Sequence, residues 1–220
     1  MAVKRGHTKR GMKPKITRIP AVGGSRKGND AWKLRVPGHE PLLKLHQSLR
    51  REIRHRWHRG LPFNEELFDR WERADFFGFG PGSSVYDSCV LFGNVTVGKN
   101  TWIGPFTILD GSGGLRIGDN CSISAGVQIY THDTTKWALS GGKIEYEHAP
   151  VEIGNCCHIG SHAVVAKGVH IGDHSLVGAC SFVNRDVPAY TVAFGVPCRK
   201  VGRVKVNDAG EVKVIFDKPR

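Results

Sequence analysis

The sequence predicts an all-β fold in which short strands wind into a stack of parallel coils, with a helical cap at one end and a hairpin at the other. From Val85 to Val183 an aliphatic residue returns every sixth position, and the residue after it is usually Gly or another small one. A period of six fits neither the roughly 3.6-residue period of an amphipathic helix nor the alternation of a half-buried strand; it is the period of coil repeats in which each hexad is one flat strand and a turn. Stacked aliphatic side chains then fill a narrow interior, and small neighbours let successive corners approach.

Taken in order, residues 1–37 are basic, rich in Gly and Pro and poor in aliphatic residues, the composition of a flexible arm. Residues 38–80 are read as a helical cap. Leu42, Leu45, Leu49, Ile53 and Trp57 recur at helical spacing, and after the Gly60-Leu-Pro62 break Asn64 is the expected N-cap of a second helix carrying Leu67, Phe68 and Trp71. Both helices are expected to cover the open first coil, whose apolar interior and strand edges need a lid.

The coil domain runs over 81–203. Its aliphatic positions are Val85, Leu91, Val97, Ile103 and Leu109, then Ile117, Ile123 and Ile129, then Ile153, Ile159, Val165, Ile171, Val177 and Val183. These fourteen hexads, three to a triangular coil, make about five coils. The register slips by two residues at Ser112-Gly-Gly-Leu115, and loop 131–150 matches the template nowhere. Such a long excursion from a compact repeat marks function. Over 204–220, Val204 and Val206 should face Val212, Val214 and Phe216 across an Asn207-Asp-Ala-Gly210 turn.

The net charge of +12 is concentrated at one end: residues 1–60 carry +14, residues 61–80 carry −3 and the remainder +1. A basic arm suits an acidic membrane surface; no aromatic interleaving or nucleic-acid fold motif accompanies the charge, which argues against nucleic acid. No apolar run reaches transmembrane length and no hydrophobic segment follows the charged start, so a cytoplasmic location is expected. The six Cys are read as reduced packing residues, Cys121 and Cys157 on small inward places of the repeat.

His158-Ile-Gly-Ser-His162, Gly168-Val-His-Ile-Gly172 and Gly195-Val-Pro-Cys-Arg199, together with the hexads, make the stretch from Ile117 to Arg203 resemble the hexapeptide-repeat acyltransferase superfamily, closest to its galactoside and maltose O-acetyltransferase branch. The resemblance implies a left-handed parallel β-helix, a homotrimer with active sites between subunits, acetyl-CoA as acyl donor, and direct transfer to a hydroxyl of a sugar or surface-polysaccharide precursor, with no metal.

His132 stands where the chain leaves the coil, in Ile129-Tyr-Thr-His-Asp133. A histidine titrates near neutral pH and can take a proton from an attacking hydroxyl. The resemblance implies the same role, although relatives commonly place the base a residue or two further along. Asp110 and Asp133 are candidates to orient the ring or bind acceptor hydroxyls, and Trp137 and Phe106 to stack on a sugar. The resemblance implies acceptor binding at Asp110, an oxyanion-stabilising amide at Ser161 beside Gly160, a pantetheine groove along Ala179 flanked by Arg185, and coenzyme phosphates at Arg199, Lys200 and Arg203. His158 takes the place of a frequent Trp on the acceptor side.

Three other readings compete. An amino sugar would make the reaction N-acetylation. The γ-class carbonic anhydrases share this fold and bind zinc through histidines; here His158 and His162, and His170 and His174, are spaced by four, unlike the five of that family. A trimeric scaffold working through its basic arm would show no coenzyme affinity.

Overall fold

The computed structural model describes residues 36–217, so the basic arm, apart from Val36 and Pro37, lies outside the described residues. The chain divides into two units, Met1–Pro41 and Leu42–Arg220, and the coils lie within the second.

The hexads build a parallel β-solenoid of about six turns. The first turn is β1 (Ser84–Val85) and β2 (Val90–Val97); the second is β3 (Trp102–Ile103) and β4 (Ile108–Ile117). The third turn holds β5 (Ser122–Ile123) and β6 (Gln128–Ile129), then an excursion with β7 (His132–Asp133), α-helical Thr135–Leu139 and β8 (Glu147–His148), and closes with β9 (Val151–Ile153). The fourth is β10 (His158–Ile159), β11 (Val164–Val165) and β12 (His170–Ile171); the fifth is β13 (Leu176–Val177) and β14 (Phe182–Val183), closed by a bridge between Ile171 and Val187. β15 (Thr191–Phe194) then opens a sixth turn by pairing with β13. Its inward residue opposite Val177 is Ala193, so the last turn does not show in a count of large aliphatic hexads, which gives about five.

The period of six has the physical cause expected of it. Inward residues from Ile103 to Val183 are 1% exposed or less, stacked rung on rung along three faces. Where the next residue is glycine, the neighbouring coil demands it: a Cβ at Gly160 would lie 2.4 Å from the Ala179 amide nitrogen. The six cysteines are free, with Cys121 and Cys157 buried among the inward places and Cys156 and Cys180 exposed.

The helical end departs from the expected pair of helices. A first helix, α1 (His39–Trp57), is followed by two short ones, α2 (Phe63–Leu67) and α3 (Arg70–Phe76), instead of a single second helix. Asn64 lies inside α2, where its amide donates to Asp87 Oδ2 at 3.0 Å. The chain is extended at Phe68 and restarts with Asp69 as the N-cap, whose carboxylate takes the Trp71 and Glu72 amides. The short helices do seat on the first coil: Ala74 and Phe79 join the core, Arg70 donates to Tyr86 Oη at 2.8 Å, and Glu65 accepts the Asp87 and Ser88 amides at 3.0 and 2.8 Å. The apolar stripe of α1 is only partly used. Ile53 is buried, whereas Leu42, Leu45 and Trp57 are 45–56% exposed, because five-residue α2 is too short to cover a nineteen-residue partner.

At the other end β16 (Arg199–Val206) and β17 (Val212–Phe216) pair in the expected register, Val204 with Val214 and Val206 with Val212. The hairpin starts earlier than residue 204, because β16 already pairs antiparallel with β15 from Arg199. Among the described residues no helix is long and apolar enough to cross a membrane.

Candidate active site

His132 opens β7 at the corner that ends the second face of the prism, one turn above Asp110. Its Nδ1 lies 2.5 Å from Asp110 Oδ2, and its own amide donates to the same oxygen at 3.1 Å. Asp110 also accepts the Thr131 amide at 2.7 Å on Oδ2, and the Ser112 amide and hydroxyl at 2.8 and 2.6 Å on Oδ1. The side chain of Asp110 is 0% exposed and that of His132 27%. Burial works to keep Asp110 protonated, yet the Ser112 hydroxyl and amide, the Thr131 amide and the His132 ring together lower its pKa to about 2. With the carboxylate ionised, the proton of a neutral imidazole belongs on Nδ1, which leaves the Nε2 lone pair directed away from Asp110.

The two-residue slip creates this arrangement. Opposite Asn94 of β2, the second turn carries Ser112, Gly113 and Gly114, and this bulge folds Ser112 back onto Asp110. Gly113 donates to Thr131 Oγ1 at 2.8 Å, and a Cβ there would lie 2.5 Å from the Thr131 carbonyl oxygen, so only glycine permits the approach. Phe92, Tyr130 and His148 ring His132 at centroid distances of 6.2, 6.3 and 6.2 Å.

The remaining candidates fall in three places. Asp110 is not open to an acceptor, because it is sealed and its oxygens are taken up by the loop and the ring. Asp133 points from β7 to the side opposite His132, where its Oδ1 accepts the Thr135 amide at 2.7 Å, so it does not orient the ring. Trp137 is exposed on the excursion helix, packed edge-on against Tyr146, and Phe106 is exposed on a first-face corner. His158 projects outward from the first face between Ser122 and Leu176. His158 lies on the strand before a corner and His162 within that corner, and among the described residues no three His, Cys, Asp or Glu side chains gather to hold a metal.

Gly160 and Ser161 occupy the corner that ends the first face, with exposed Ala179 one turn on. The Ser161 carbonyl accepts the Cys180 amide at 2.9 Å, and the Ser161 amide donates to no group among the described residues. Arg199, Lys200 and Arg203 are exposed on β16 beside this end of the sheet. Arg185 instead follows β14, on the His132 corner, so it does not flank Ala179 within one chain. His132 and Ser161 therefore mark opposite edges of the second face.

Residues 150–185 match the bacterial transferase hexapeptide (six repeats) family, and residues 94–131 match the hexapeptide repeat of succinyl-transferase. Galactoside O-acetyltransferase of Escherichia coli (strain K12) is 31% identical over 133 residues, which cover 51% of this chain and 66% of that protein. A crystallised variant of AntD, an N-acyltransferase from Bacillus cereus in complex with dTDP and coenzyme A, superposes with a TM-score of 0.52 at 30% identity, covering 56% of this chain and 71% of that one. The chain belongs to the hexapeptide-repeat acyltransferase superfamily. Another member, a galactoside acetyltransferase in complex with coenzyme A, matches with a TM-score of 0.55 at 27% identity over 77% of this chain and 84% of that one. The chain spans 56–66% of the length of the first curated superfamily relatives it matches.

Around the Asp110–His132 pair, sequence reasoning singled out the histidine and missed the donors that Ser112 and Thr131 supply to Asp110. The signal available for both was the Ser-Gly-Gly slip, whose glycines imply a close backbone approach.

Proposed function

We propose that the protein is an acyl-CoA-dependent acyltransferase that moves an acetyl group from acetyl-CoA to a hydroxyl of a sugar or glycan precursor, with His132 as general base. The observation that carries this reading is the Asp110–His132 pair, a buried ionised carboxylate on Nδ1 of a part-exposed ring. Acetyl-CoA supplies the activated acetyl carbon as a thioester. His132 Nε2 takes the proton of the attacking hydroxyl oxygen and returns it to the departing sulfur, while Asp110 holds the tautomer and balances the imidazolium charge. The Ser161 amide is a suitable donor for the developing oxyanion, worth about 3 kcal/mol of barrier in such sites. The Gly160–Ala179 corner leaves backbone open to a pantetheine arm, and Arg199, Lys200 and Arg203 offer cations to phosphates.

One chain cannot present His132 and Ser161 to the same substrate, since they mark opposite edges of one face. A homotrimer closes that gap. Four of the five outward residues in the strand row of the second face are apolar, Val90, Ile108, Val164 and Phe182, with Gln128 between Ile108 and Val164, whereas those of the third are Thr96, Arg116, Glu152 and His170. Packing the apolar second faces about a threefold axis sets the His132 edge of each subunit against the Ser161 edge of the next.

The AntD likeness favours a second reading, transfer to an amine of an amino sugar. A panel of sugars and amino sugars, followed by thiol release from acetyl-CoA and by mass spectrometry of the product, tests both. An O-acetyl ester is the expected product, an amide selects the second reading, and silence with every acceptor contradicts both.

A further inference from the structure

We propose that Lys167 is a positioning residue for His132, tying the excursion that carries it to the coil. The inference rests on the reading of His132 as the base. β7 and β8 form a ladder of two residue pairs, His132 with His148 and Asp133 with Glu147. A ladder this short has little stability of its own. Because side chains alternate, the two histidines share the front of the ladder and the two carboxylates its back.

Lys167 reaches that back from the fourth turn. Its Nζ lies 3.1 Å from Glu147 Oε2 and 3.8 Å from Asp133 Oδ2, and its side chain is 25% exposed. One ammonium thus bridges both strands, while on the front Asp110 holds the ring from the second turn. Hydrogen bonds from Thr135 and then the charge of Lys167 hold Asp133 below its ordinary pKa; Lys136 and then Lys167 do the same for Glu147. Without the bridge, two carboxylates on directly opposite ladder positions repel. Lys136 also pairs with Glu147, but it belongs to the same excursion and is 61% exposed, so it does not anchor the ladder to the coil.

Three variants of the full chain test this: Lys167→Met, Lys167→Arg and Lys136→Met. Lys167→Met should lower kcat about tenfold, as a misplaced catalytic group does, with acetyl-CoA KM and Tm unchanged. Amide exchange at His132 and His148 should rise in the same variant. Lys167→Arg should restore most of the activity and protection, and Lys136→Met should change kcat less than about twofold, as expected of an exposed pair. Wild-type exchange and kcat in Lys167→Met overturn the inference, and so does a fall in Tm that arginine does not rescue. An active His132→Ala protein would instead overturn the reading of the base, leaving the exchange measurement to decide the tether.

Discussion

Asp110 and His132 are 22 residues apart in sequence and 2.5 Å apart in space, carboxylate oxygen to ring nitrogen. The stacking of turns brings them together, since Leu109 pairs with Ile129 and both residues leave the coil at the same corner. A carboxylate sealed from water and charged is costly unless donors surround it, and here Ser112, Thr131 and His132 do so. The pair is therefore built before any substrate arrives.

Asp110 should make the fold acid-sensitive. Its folded pKa is about 2 against an ordinary 3.8, so the stability it contributes is present above the unfolded value and is lost as pH falls through the folded one. A shift of that size corresponds to about 2 kcal/mol. Denaturant titrations should show wild type losing about 2 kcal/mol more than Asp110→Asn between about pH 5 and pH 2. Equal losses would mean that the carboxylate is not held ionised.

Coenzyme phosphates and chemistry should separate in kinetics. Replacing Arg199 and Arg203 by Ala should raise acetyl-CoA KM far more than it lowers kcat, because groups that hold ground and transition states alike act on binding. An unchanged KM would remove β16 from the coenzyme site.

Assembly should depend on the second face. Val164→Asp places a charge beside Phe182 on this face and should convert the proposed trimer to monomer in light scattering, with activity lost. Thr96→Asp on the polar third face should leave mass and activity as they are. A trimer that survives Val164→Asp would place the interface elsewhere.

The coil was legible in the sequence because its rule is local: inward aliphatic residues such as Ile103 and Ile159 are each followed by a glycine that the neighbouring coil leaves no room to enlarge. The hairpin was legible for the same reason, Gly210 and Asn207 fixing the turn between Val206 and Val212. His132 stood out as the histidine at the point where the period breaks. The partner of His132 was less legible. Asp110 and Asp133 both stood as candidates to orient the ring or to bind hydroxyls, and nothing local reveals that a two-residue bulge folds Ser112 onto Asp110 and leaves that carboxylate, not Asp133, on the ring. Nor does the apolar spacing of Leu42, Leu45 and Trp57 reveal that α2 is too short to cover them. Asp69 likewise restarts a helix that the apolar spacing would have run straight through.

The most direct test of the account is kcat of His132→Ala at neutral pH, measured with the acceptor that the panel identifies. A general base contributes about 10²- to 10⁴-fold, so kcat should fall by at least about two decades, with Tm, mass and coenzyme affinity nearly unchanged. His148→Ala, His158→Ala and His162→Ala should each retain far more activity. Wild-type kcat in His132→Ala, with loss in His158→Ala and folding intact, would contradict the account and move the base from the excursion to the face of the coil.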